Sequence, residues 1–251
     1  MPRKPGEPLK YMEVADDLRR RIGEGEFPPG SKLPPERKLV EQYSRSPGTI
    51  RQALAVLREE GITESRVGSG VTVRQWRPIV RNALKRVLAD QWGEGKSIWD
   101  VDIEDRTLIA DGVRVEQLRA EPDVAAALGI EQGELVCRRD RRYLVDGVPV
   151  LRATSFISDD LARGTRIMQH DTGDGGVFAR LAEVGHKPAR FREDLRCRMP
   201  SAREVEDLRL PPSTPVVELV RYAYDSADRV VEVNRMILDA SRYLLRYDFS
   251  S

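Results

Sequence analysis

Thr49, Arg51 and Gln52 crowd the start of a short amphipathic stretch, Ser46-Pro-Gly-Thr-Ile-Arg-Gln-Ala-Leu54, and their side chains are of the kinds that read nucleic acid. Gln can pair bidentately with adenine, and Arg binds either guanine or a phosphate oxygen. That chemistry needs a helix with one apolar face for its own core and one polar face for a groove. Ile50, Ala53, Leu54 and Leu57 supply the first at i, i+3, i+4, i+7 spacing, which turns Gly48, Thr49, Arg51, Gln52, Ala55 and Arg58 to the other sides. Ser46 is a suitable N-cap, Pro47 fits the first turn because its missing N–H would be unpaired there, and Gly61 ends the helix. Just beyond, Ile62 to Arg66 and Val71 to Arg74 read as the strands of a hairpin. Gly68 and Gly70 permit its positive φ angles, and with Ser69 they leave a tip slim enough to approach a groove.

Two further helices must hold this reader. Tyr11, Val14, Ala15, Leu18 and Ile22 recur at helical spacing and predict a helix to about Gly23, broken by Phe27-Pro-Pro-Gly30. After Leu33-Pro34-Pro35 a second helix, Glu36 to about Tyr43, turns Leu39, Val40 and Tyr43 inward and Arg37 and Lys38 outward. Arg37 and Arg45 thereby join the candidate contacts to nucleic acid. The net charge of the 251 residues is only +1, yet residues 1–77 carry 15 Lys/Arg against 11 Asp/Glu while the remainder carries 27 against 30. A basic head on an acidic body orients the head toward a polyanion.

Tyr11-x-x-Val14-Ala15-x-x-Leu18-Arg19, Pro29-Gly30-Ser-Lys-Leu33-Pro34-Pro-Glu36-Arg37-Lys-Leu39, Thr49-Ile-Arg51-Gln-Ala53-Leu54, Glu60-Gly61 and Gly68-x-Gly70 together resemble the winged helix-turn-helix of the GntR family of bacterial transcriptional regulators. The resemblance implies a DNA-binding module over 8–75, with Arg37, Thr49, Arg51 and Gly70 at positions that touch operator DNA. Two residues depart from the family pattern. Pro35 stands where a Ser normally caps the second helix, and Ser46-Pro47 stands where Ser-Arg usually opens the third, which leaves Arg45 to supply the basic contact.

Beyond the head, residues 76–95 read as a linker containing a helix from Val80 to Trp92. The rest repeats itself at a spacing of about 80 residues. Val124-Ala-Ala-Ala-Leu128-Gly-Ile130, Leu135-Val136, Tyr143 and Asp146-Gly147 are echoed by Glu204-Val-Glu-Asp-Leu208-Arg-Leu210, Val216-Val217, Tyr224 and Asp228-Arg229. Each copy reads as a short helix, a strand, a hairpin turn and a second strand, so the two would build one antiparallel sheet, with a ligand where the halves meet. This pattern resembles the UTRA ligand-binding domain of the HutC subfamily, of chorismate-lyase-like fold, and implies an α+β chain with an effector-binding and dimerisation domain over 96–249. By that resemblance Arg141 matches an effector contact, Tyr143 replaces its usual basic partner, Ala153 falls where an acidic residue is usual, and Glu232 and Arg242-Tyr243 match in the second repeat. The expected pocket lies near Arg141, Tyr143, Thr154, Glu232, Arg235 and Tyr243, with a chemistry unlike that of the group's phosphosugar binders.

Other residues carry weaker signals. Arg138, Arg139, Arg141 and Arg142 surround Asp140, and strand alternation splits them between two faces as ion pairs and one ligand contact. Gly173-Asp-Gly-Gly176 lacks the Lys-Ser/Thr of a nucleotide loop and reads as a turn before a helix from Val177 to Val184. Cys137 and Cys197 read as small core residues on strands, and two cysteines cannot form a disulfide framework. His170 and His186 are too few for a metal site or a nucleophilic constellation, so neither catalytic residues, a metal nor a cofactor is expected. No apolar run reaches the length of a membrane span or a secretory signal, which makes the cytoplasm the expected location. Together these residues predict a homodimeric regulator, a repressor of double-stranded operator DNA with an inverted repeat, modulated by a small-molecule effector. Its alternatives are a constitutive plasmid or mobile-element repressor and a lyase-like enzyme.

Overall fold

Leu18, Leu39, Ile50, Ala53 and Leu57 close on one another without solvent exposure and form the core of the first of two units, 1–77 and 78–251, into which the chain divides. The structure, a computed structural model, describes residues 9–66, 70–75, 77–83, 106–211 and 213–249. In the first unit α1 (Lys10–Gly23), α2 (Glu36–Tyr43) and α3 (Pro47–Glu59) are followed by a hairpin of β1 (Thr63–Arg66) and β2 (Gly70–Val73). The Ser46 hydroxyl caps α3 by accepting from the Thr49 N–H at 3.2 Å. No side chain caps α2 at Pro35, as the missing Ser implies. Between α1 and α2 the Tyr43 hydroxyl donates to Asp17 at 2.7 Å and accepts from Arg21 at 3.0 Å, and burial together with Asp17 pushes the phenol up to about 12.

The second unit is built on β4 (Leu108–Arg119), α4 (Pro122–Leu128), β5 (Leu135–Val145), β6 (Val148–Ser158), α5 (Asp159–Ala162), α6 (Gly176–Glu183), β7 (Arg190–Arg198), α7 (Ala202–Leu208), β8 (Val216–Tyr224) and β9 (Val230–Asp239). Its six strands run in the order β4-β5-β6-β9-β8-β7, every neighbour antiparallel. One face, with Tyr143, Ala153, Leu219 and Met236, packs on α5 and α6. The opposite face packs Val136, Phe156 and Val233 on α4, and Val216 and Ile237 on Leu208 of α7.

The repeat is more extensive than the sequence echo. Each half is strand, helix, strand, strand, and a shift of 80 residues turns Pro122–Leu128 into Ala202–Leu208 and the pair Arg114 with Asp140 into Asp194 with Val220. The last strand of each half is offset by one more, so Arg141 opposite Ala153 becomes Arg221 opposite Asn234. Thr154 pairs with Arg235, its own equivalent, and this pair therefore marks the pseudo-twofold axis. Matching Tyr143 with Tyr224 was one residue out of register: Tyr224 is the equivalent of Leu144 and lies on the other face.

Two further expectations are corrected. Ile79–Asn82, assigned to the linker and partly to its helix, instead form β3, which pairs in parallel with β10 (Tyr243–Arg246). Burial of Ile79 and Arg81 on alternate positions favours the strand there. The remainder of that helix, with Leu84, Val87 and Leu88, lies outside the described residues, as do Gly68 and Ser69 of the wing tip. Cys137 is buried, but Cys197 is exposed, because β7 is an edge strand.

Candidate functional site

In the head, α3 directs Ile50, Ala53 and Leu57 inward and leaves Arg51 and Gln52 exposed, with Thr49 half-buried against its cap. The Thr49 and Ser46 hydroxyls are 2.9 Å apart, so the residue nearest the helix start is fixed by the cap. Arg51 Nη1 lies 2.9 Å from Glu36 Oε1 and Arg45 Nη2 lies 2.9 Å from Glu13 Oε2, whereas Arg37 is 88% exposed with Glu41 at 3.9 Å. Exposed pairs of this kind are weak, so phosphate can displace the carboxylate at little cost. Gly70 is exposed with φ +81 and opens β2 opposite Arg66.

In the body, strand alternation builds a cavity of about 430 Å³ over the first face of the sheet. Arg139, Arg141 and Tyr143 come from β5, Glu232 and Asn234 from β9, Arg221 from β8, and the segment from His170 to Phe178 borders it. Arg139, Ser155, Asn234 and Arg221 are successive cross-strand neighbours, a polar row laid across the sheet beside Arg141 and Glu232. The three arginines, Glu232 and Asn234 are all nearly or fully buried.

Their partners are unequal. Arg139 donates to the backbone oxygens of Ile167, Gln169 and His170, which holds the segment before the glycine turn. Burial, reinforced by Arg141, pulls Arg139 down to about 10, so it keeps its charge at neutral pH. Arg141 donates to the Ser155 hydroxyl. Arg221 reaches only Glu232, at 3.3 Å, and its Nε and Nη1 have no hydrogen-bond partner among the described residues. Both amide atoms of Asn234 are likewise without one. The glycine turn is a turn before a helix, as expected, but it also lines the cavity. A Cβ on Gly173, which has φ +73, would strike the Arg166 guanidinium.

Of the expected effector residues, Arg141, Tyr143 and Glu232 come together at this cavity. Thr154 and Arg235 do not. They sit on the opposite face, where Thr154 donates to Asp140 at 2.5 Å and Arg235 pairs with Asp123 at 2.9 Å, because their parity along the strand is the reverse of that of Arg141 and Glu232. Tyr243 is drawn into β10 and packs on the core instead. Arg139, Arg221, Asn234 and the His170–Phe178 segment were missed. Stepping two residues from Arg141 gives Arg139, two from Glu232 gives Asn234, and the 80-residue shift gives Arg221. On the other face Arg138 pairs with Asp140 and Arg142 with Asp111, so those members of the basic run are answered by carboxylates, as is Arg152 of β6 by Asp207.

A winged helix-turn-helix head and a body with a cationic cavity define a transcriptional regulator. Comparison with known proteins bears this out: residues 10–73 match the model for bacterial regulatory proteins of the gntR family, and residues 106–244, more than half of the chain, match the UTRA domain. The chain is 31% identical to an HTH-type transcriptional regulator of Streptomyces coelicolor over 96% of this chain and 92% of that one. It is 27% identical to the HTH-type transcriptional repressor PhnF of Mycolicibacterium smegmatis over 93% and 90% of the two chains. A crystal structure of a GntR-family transcriptional regulator superposes with a TM-score of 0.62 at 25% identity, covering 97% of this chain and 98% of that one. The chain belongs to the GntR family, in the HutC group that carries a UTRA domain. No helix among the described residues is long and apolar enough to cross a membrane.

Proposed function

We propose that the chain is a ligand-controlled repressor, acting as a homodimer on an inverted-repeat operator and released by a small anionic molecule held in the body. The proposal assigns operator recognition to 8–75, through Arg37, Arg45, Ser46, Thr49, Arg51, Gln52, Ser69 and Gly70, and effector binding and dimerisation to 96–249. A twofold dimer suits a palindromic site, and an effector acts only through different affinities for operator-competent and incompetent states. The repressor sign is supported by the likeness to the transcriptional repressor PhnF.

One observation carries the effector: among the described residues, a buried guanidinium has two unpartnered nitrogens beside an amide with none of its bonds made. Leaving such groups unanswered is costly, and a ligand bearing a carboxylate or phosphate together with a group that both donates and accepts would answer them. Arg139 and Arg141 add charge, Tyr143 and Phe178 offer flat surface, and the volume suits a small metabolite.

The test is selection of bound sequences from a random DNA pool at physiological salt, followed by release of the enriched site with small anions. An enriched inverted repeat that is released supports the whole reading. Enrichment without release by any anion favours a constitutive repressor, and no enrichment by folded protein overturns operator reading.

A further inference from the structure

We infer that Arg221, Glu193 and Arg81 form a charge relay through which occupancy of the cavity sets the hold on β3, the first strand that follows the head in the chain. The inference rests on the reading of the cavity as an anion site.

Arg81 projects from β3 and is 1% exposed, an unusual place for a guanidinium. It grips Glu193 of β7 with both terminal nitrogens, Nη1 to Oε2 at 2.9 Å and Nη2 to Oε1. Glu193 is itself 10% exposed, and the Tyr247 hydroxyl also donates to it at 3.4 Å. In the sheet register Glu193 stands directly opposite Arg221, on the same face. Arg221 thus lies between two carboxylates, Glu232 on the cavity side and Glu193 on the side of β3, with the Phe178 ring 5.2 Å from its guanidinium. Burial holds the Arg221 pKa below its usual value, Glu232 and then Glu193 work against that, and Arg81 adds to it, so these charges feel one another.

Buried charges in this row are screened little, so a change at one end reaches the other. With the cavity empty, Glu193 divides its attraction between Arg81 and Arg221. An anion on Nε and Nη1 of Arg221 neutralises that guanidinium, so that Arg221 no longer competes with Arg81 for Glu193. β3 is a suitable receiver, since it has four residues, its only strand partner among the described residues is β10, and it begins two residues after the first unit ends. A tightened or loosened β3 would pass its change to the head through the chain itself.

Hydrogen exchange on the full chain tests this, read at residues 79–83, with 135–145 as the internal reference. Glu193→Gln should speed exchange at 79–83 by tenfold or more. Arg221→Met, which removes the charge as an anion would mask it, should slow it several-fold, and Arg152→Gln on the opposite face should leave it unchanged. Unaltered exchange at 79–83 in Arg221→Met, with 135–145 protected as in the wild type, overturns the relay. Arg221→Gln takes its place should the Met variant lose that protection. In the wild type, inorganic phosphate should slow both 170–178 and 79–83, and in Glu193→Gln only 170–178. If phosphate protects neither segment while Arg221→Met still slows 79–83, the anion reading of the cavity fails and the relay stands.

Discussion

Asn234 and Arg51 make opposite kinds of prediction. Asn234 is fully buried, with both amide atoms unpartnered among the described residues, so Asn234→Leu should stabilise the body by roughly 1 kcal/mol, or about 2–4 °C in Tm, while abolishing stabilisation by an anionic ligand. Calorimetry with and without phosphate reads both effects, and a destabilised variant would mean that the amide is structural. Arg51 is exposed and paired to Glu36, so Arg51→Ala should barely alter folding. If it binds phosphate, the log–log salt slope of operator affinity should flatten by about 0.9. If it reads guanine, the loss should be about 1–3 kcal/mol and confined to the matching site. Fluorescence anisotropy on matched and scrambled DNA separates the two.

At the scale of elements, caps decide. Ser46→Ala removes the only side-chain cap of α3 and should cost the head about 1 kcal/mol in denaturant unfolding. α7 begins with a capping box, in which Ser201 accepts from Glu204 N–H while Glu204 accepts from Ser201 N–H, and Arg198 holds the same carboxylate. Arg198 first, then the Ser201 bonds, draw Glu204 from 4.5 down to about 2. A depressed carboxylate stabilises above its unfolded pKa and loses that contribution as pH falls through the folded one. Between about pH 4.5 and 2 the body should therefore lose roughly 2–3 kcal/mol, and Glu204→Gln should flatten that part of the profile.

These elements differ in how visibly they were written. The three helices of the head were legible because helical spacing is local: Ile50, Ala53 and Leu57 announce their face within eight residues. The body was legible as a repeat but not in its register. Pairing joins residues far apart in sequence, and a slip of one exchanges every face. Strand parity likewise takes Thr154 and Arg235, which the resemblance placed in the pocket, to the other face and brings Arg139 and Arg221 to it. β3 was invisible for a related reason, since its partner and the Glu193 that binds Arg81 come more than a hundred residues later.

For the whole molecule, the two units have separate cores, so calorimetry should resolve two transitions rather than one. Leu57→Ala, at a fully buried site of the head, should lower one of them by about 2–5 kcal/mol and leave the other in place. A single merged transition, shifted as a whole, would show that the units unfold as one.

The pseudo-twofold through Thr154 and Arg235 has a consequence for what the body can recognise. Two identical halves, associating as separate chains, would offer a cavity with the same groups on both sides and would give a lopsided guest no preferred orientation. Covalent fusion lets the sides drift apart. Arg141 and Arg221 remain a matched pair, but Arg139 faces Leu219 across the axis, Asn234 faces Ala153 and Glu232 faces Leu151 as equivalents. The symmetry survives in the scaffold, while a lopsided guest would be oriented by the positions where the copies disagree, these three and Tyr143, whose equivalent is Ala223, among them.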